Sequence, residues 1–111
     1  MRSIAASIGI LLLGTAASAG EAPSVPFPDG FRDWHHVKTT VILPGHPMHA
    51  FVGGIDHTYA NAPAMQGYAS GIFPDGSILV YDTIDAHEAD HAIDEGKRKV
   101  LGVMVKDSKR Y

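Results

Sequence analysis

Two groups of side chains in this sequence could do chemistry. His87-Glu88-Ala89-Asp90-His91 fits His-Glu-x-x-His, where histidines one helical turn apart hold Zn²⁺ and the glutamate activates water. Its surroundings oppose that use. Asp85, Asp90, Asp94 and Glu95 leave no apolar face to bury an active-site helix, and no histidine follows to complete a ligand set. A solvated acidic helix or loop over 86–96 is expected instead of a metal-dependent hydrolase, with incidental surface binding of zinc or nickel open to His87 and His91. The seven histidines form the second group. His46 and His49 lie in a Pro/Gly loop, and His35-His36 follow Trp34 at the start of a strand. Strand alternation sends His35 and His36 to opposite faces. A site drawing on His46, His49 and His57 matches no metal spacing, so solvated or packing histidines are expected. Tyr59, Tyr68 and Tyr81 with Met65 and Met104 could line an apolar pocket, although core packing is the simpler role for the methionines. No Ser-His-Asp order, phosphate loop or paired-carboxylate pattern stands out.

The segment 56–82 must position most of these residues. Positions 56–61 alternate as a strand, and Asn61 can cap a helix in which Ala62, Met65 and Tyr68-Ala69 recur at helical spacing. Gly71 ends that helix. Phe73-Pro74-Asp75-Gly76 predicts a type I turn, with proline second and glycine last. A β-rich strand follows over 77–82. Before this unit, 31–34 predicts a helical turn, 36–43 a strand and 48–54 a loop or weak extended segment. After it, 99–106 is a strand with Val100 and Met104 on one face and Leu101, Val103 and Val105 on the other. Both faces are apolar, which predicts a central strand covered on two sides. Phe-Pro-Asp-Gly occurs at 27–30 and 73–76 with unmatched flanks, so two similar turns are expected and no repeat.

Composition narrows the classes. Arg2, the apolar run 8–13 and Ala17-Ser18-Ala19 make 1–19 a secretory signal peptide, with no membrane attachment after cleavage. Residues 20–30 form a proline-rich lead-in, and 31–111 a single domain. Losing Arg2 leaves eight basic against twelve acidic residues, a net charge of −4 with no basic stripe, which opposes nucleic-acid binding. Cysteine is absent, so disulfides cannot staple this small exported domain; a cofactor or a dimer interface would supply stability instead. The fold class expected is α+β: a mostly antiparallel sheet of about four strands with one or two short helices packed on it.

Several motifs, in their order and spacing, resemble the cytochrome P-460 family. They are Trp34-His35-His36-Val37, Gly45-His46-Pro47, His57-Thr58-Tyr59-Ala60-Asn61, Gly67-Tyr68, Phe73-Pro74-Asp75-Gly76-Ser77 and the run 103–111. The resemblance covers about 31–111. It implies an exported, periplasmic c-type haem protein, usually a homodimer, with an antiparallel sheet and a few helices. Relatives bind or oxidise small nitrogen compounds such as nitric oxide or hydroxylamine, or pass electrons to a redox partner. The family pattern continues into a further strand and a Cys-x-x-Cys-His helix that holds haem c; this chain stops before both, and the sequence is expected to be cut short. The resemblance places haem-pocket positions at Tyr81, Gly102 and Met104. Tyr81 stands where hydroxylamine oxidisers carry a haem-cross-linking lysine, and Gly102 stands near their pocket carboxylate. The expectation is therefore of gas binding or electron transfer rather than hydroxylamine oxidation, with no catalytic residue assigned. A haem-free exported binding or structural module is the alternative.

Overall fold

The computed structural model describes residues 24–111; the leader expected at 1–19 lies outside them. A 3-10 turn, Phe31–Asp33, precedes β1 (His35–Ile42), α1 (His49–Val52), β2 (Gly54–Ala60), α2 (Ala62–Ser70), β3 (Ile78–Ala89) and β4 (Ala92–Val105). The strands form one antiparallel sheet in the order β1-β2-β3-β4, so every strand pairs with its neighbour in sequence. This is the α+β architecture expected. Among the described residues no helix is long and apolar enough to cross a membrane.

Asn61 joins the helix to the sheet. Its side-chain oxygen accepts from the backbone N–H groups of Ala64 and Ile78, both at 3.0 Å, and its amide donates to the Gly76 carbonyl at 2.9 Å. The first bond caps α2, whose opening N–H groups lack intrahelical partners. The other two fix the start of β3 against the same residue. Gly71, at φ 86°, ends the helix in the left-handed conformation.

Alternation and register divide the side chains between two faces. Ile55, His57 and Tyr59 lie opposite Ile84, Asp82 and Val80 on one face. Thr58 and Ala60 lie opposite Tyr81 and Leu79 on the other, next to Gly102 and Met104 of β4. On the first face Asp82 is wholly buried. Arg32 donates to its Oδ2 through Nη2 (2.7 Å) and Nε (3.2 Å), and Arg98 Nε donates to Oδ1 (2.9 Å). Both guanidinium groups also lie over the Phe31 ring, at 5.7 and 5.6 Å from its centroid. Phe31 in turn packs edge-on against Tyr59, 5.5 Å between centroids. We call this the clamp face, and the opposite one the trough face.

Four expectations need correction. Residues 86–96 are neither helix nor loop: they are the tip of the β3–β4 hairpin. Asp90 (φ 52°) and His91 (φ 63°) make its two-residue turn, both in the left-handed region that such hairpin turns require. The 48–54 segment holds the short helix α1 rather than an extended stretch. β4 is an edge strand among the described residues, with Val100 43% and Met104 56% exposed, so its two apolar faces do not make it central. The Asp-Gly turn sits one residue later than expected. Ser77 N–H donates to the Pro74 carbonyl (3.1 Å) and Gly76 takes φ 90° at the third position, which favours glycine. The second copy behaves alike, with Phe31 N–H on the Pro28 carbonyl (3.2 Å) and Gly30 at φ 73°. The two similar turns are as expected.

Asp82→Ala should lower unfolding free energy by about 2–3 kcal/mol, because it removes all three bonds at once and leaves both arginines, half in solvent, without a partner. Arg32→Ala and Arg98→Ala should each cost less, about 1–2 kcal/mol, since the remaining arginine still neutralises Asp82. Urea titration followed by circular dichroism measures the three; equal losses for all would contradict the shared clamp. A second outcome concerns acid. Asp75 accepts from Ser108 Oγ (2.7 Å) and from the Ser108 N–H (3.2 Å), and these bonds hold its carboxyl below the ordinary value of 3.8. A depressed carboxyl contributes stability above that value and loses it as pH falls through the depressed one. The Ser108 amide should therefore stay protected from exchange to below about pH 4 and then open, and Ser108→Ala should return Asp75 to the ordinary range in an NMR titration.

Candidate functional site

The three positions expected at a haem pocket meet on the trough face. Tyr81 lies directly opposite Gly102, and Leu79 directly opposite Met104. A Cβ built on Gly102 would lie 3.7 Å from both Cβ and Cδ2 of Tyr81, so the tyrosine ring leans over the glycine at ordinary contact distance.

Two shallow grooves adjoin these residues. One, of about 480 Å³, is lined by Ile72, Phe73, Leu79, Met104 and Val105, with Gly71 at its rim. Its lining is mainly apolar, and α2 flanks it: the Tyr68 ring packs edge-on against Phe73, 5.2 Å between centroids. Burial pushes the Tyr68 phenol above its ordinary range, and neighbouring Tyr81 pushes the same way. The second groove, about 250 Å³, is lined by Tyr81 with Lys38, Thr40, Asp56, Thr58 and Thr83. Here the Thr83 hydroxyl donates to the Asp56 carboxylate. Tyr81 thus stands where an apolar trough turns polar. Ile72 (75% exposed) and Met104 present apolar surface to solvent beside a packed sheet, the property of a face that receives another apolar body.

Haem can be tested against these residues. A flat apolar ring fits the chemistry of the larger groove, and Met104 supplies a soft thioether donor within it. No histidine lines either groove, and cysteine is absent from the sequence. These residues suit contact with the ring and do not include the Cys-x-x-Cys-His ligation.

The other expectations fare differently. His87 and His91 are not on a helix: His87 pairs with Asp94 in the exposed hairpin and His91 is in its turn, so the His-Glu-x-x-His spacing has no helical face to act from. The tyrosines divide, with Tyr59 on the clamp face and Tyr81 on the trough face. His57 does not join His46 and His49; it meets His36. Thr39 Oγ1 lies 2.9 Å from both His36 Nε2 and His57 Nδ1, those nitrogens are 3.3 Å apart, and His57 Nε2 bonds the Glu95 carboxylate. Sequence reading missed this group because its members are brought together by strand pairing across 21 and 38 residues. Strict alternation along β1 would send His36 to the face opposite Thr39; the bulge between His36 and Lys38 brings it round to the face of His57.

The family model Cytochrome P460 matches residues 28–111, a span that contains all four strands and both helices. No curated protein matches the chain.

If the trough face receives an apolar body, Met104→Glu should abolish binding of a hydrophobic dye such as anilinonaphthalene sulfonate. It should leave the melting temperature within a few degrees, because Met104 is over half exposed. Unchanged dye fluorescence would place the apolar surface elsewhere.

Proposed function

The chain belongs to the cytochrome P460 family, and from that membership we propose that it is a periplasmic haem-protein domain that binds a small nitrogen compound or transfers electrons. The observation that carries the reading is the convergence of Tyr81, Gly102 and Met104 on one half-exposed apolar face. Export and a homodimeric state belong to the same proposal. Haem, when bound, supplies an iron centre that takes up a small ligand or an electron.

This chain's own residues would shape the surroundings of that group. Ile72, Leu79 and Met104 offer apolar contact and exclude water from one side. Tyr81 brings a phenolic O–H, a donor suited to a polar diatomic or hydroxylamine-sized ligand. Thr58 and Thr83 are buried behind it, so the polar side is walled rather than open. Tyr81 cannot make the lysine cross-link of the hydroxylamine oxidisers, and Gly102 carries no acid to accept a substrate proton. Both differences favour reversible ligand binding or electron transfer over oxidation.

A second reading, the haem-free exported module, is favoured by one observation: the sequence lacks cysteine and neither groove is lined by histidine. Absorbance of the native exported protein separates the two. The haem reading expects a Soret band that shifts on adding nitric oxide, with Tyr81→Phe increasing nitric oxide release by about 5–30-fold, the loss of one hydrogen bond of about 1–2 kcal/mol. A native protein without any haem absorbance would sink that reading and leave the module.

A further inference from the structure

We propose that His36 and His57, converging on the clamp face, bind a divalent transition-metal ion, Cu²⁺ in preference to Zn²⁺, with Glu95 positioning His57. This site is on the opposite side of the sheet from the trough face and does not depend on the haem reading.

The spacing of the donor atoms is the first reason. His36 Nε2 and His57 Nδ1 lie 3.3 Å apart, with Thr39 Oγ1 2.9 Å from each. Two nitrogens at about 2.0–2.1 Å from a shared ion are about 2.9 Å apart at square-planar cis positions and about 3.3 Å apart in a tetrahedron, so these two already stand within a few tenths of an ångström of the separation that either geometry imposes. The second reason is the partner of the far nitrogen. His57 Nε2 bonds Glu95, which fixes the proton there and turns the Nδ1 lone pair toward His36. A carboxylate behind a ligating imidazole is the recurring support of histidine metal sites.

The fold holds this arrangement before any ion arrives. Thr39 is directly opposite His57 and His36 directly opposite Tyr59, on adjacent antiparallel strands. The Tyr59 ring packs against both imidazoles, at 5.4 Å from His36 and 6.3 Å from His57. Neither ring can swing far without leaving that packing. Access remains open, since His36 and Thr39 are exposed and the His57 side chain is 18% exposed. The nearby arginines, Arg32 and Arg98, are bonded to Asp82, which reduces their repulsion of a cation.

In the free chain the His36 Nε2 proton and the Thr39 hydroxyl satisfy the lone pairs between them. On binding, the His36 proton moves from Nε2 to Nδ1 by exchange with solvent, so Nε2 offers its lone pair to the ion and both imidazoles bind in their neutral form. Among the described residues no three His, Asp or Glu side chains gather as ligands, so two nitrogens come from the protein and water fills the remaining positions. Imidazole donors and an open, water-completed shell favour Cu²⁺ over Zn²⁺ by the usual order of stabilities.

Calorimetric titration of the full exported chain with Cu²⁺ and then Zn²⁺, alongside Cu²⁺ electron paramagnetic resonance, tests the site. We expect one equivalent bound with nitrogen hyperfine structure from two imidazoles. His36→Ala and His57→Ala should each weaken Cu²⁺ by more than about tenfold, and Glu95→Gln by about 10–100-fold. The double variant His87→Ala/His91→Ala should bind as the parent does. His36 is exposed on an edge strand, so its variant carries the result even if His57→Ala fails to fold. Unchanged affinity in His36→Ala, loss of binding in the hairpin double variant, or no saturable binding to the parent would each overturn the proposal.

Discussion

The burial of one carboxylate organises this small sheet. Asp82 sits wholly out of water at the middle of β3, where an ion without partners would be untenable. Two guanidinium groups reach it from sequence-distant places, Arg32 in the turn before β1 and Arg98 on β4. Each is half in solvent, so the charges are shared between protein and water while the carboxylate is fully enclosed. Phe31 packs against both cations and against Tyr59, and converts a polar contact into packing that closes the clamp face. Among the described residues the other face has no such lid beyond the two short helices. The asymmetry of the domain follows from that difference.

Much of the fold was legible because the middle of the chain states its local structure redundantly. Asn61 at the cap, Gly71 at the close and a β-branched run after an Asp-Gly turn all point to the same strand–helix–strand unit. The β3–β4 hairpin was not legible. Asp90-His91 lacks the glycine that marks such turns, and acidic residues from 85 to 95 mimic a solvated helix. The β4 edge was misread for a related reason: apolar residues on both faces indicate cover on both faces, but they do not say whether that cover is present in these residues.

The site positions divide in the same way. Tyr81, Gly102 and Met104 came from a family resemblance, and only cross-strand register brings Tyr81 onto Gly102 and Leu79 onto Met104. His36 and His57 carried no spacing signal at all. Histidine pairs on one helix can be read from an interval of four, whereas pairs on neighbouring strands depend on a register that sequence intervals do not encode. The bulge after His36 makes this harder, because it shifts the pairing by one residue beyond that point.

The neighbour-by-neighbour strand order also bears on how the chain assembles. Asn61 closes a loop of only 17 residues to Ile78, while Arg32 must travel 50 residues to meet Asp82. Loop-closure entropy and contact order favour the short loop early and the long one late. The centre of the meander can therefore condense while Asp82 is still hydrated, and the carboxylate loses its water only when the incoming turn delivers Arg32. Kinetic φ-values at Asn61 and Arg32 read that order directly, high at the first and near zero at the second.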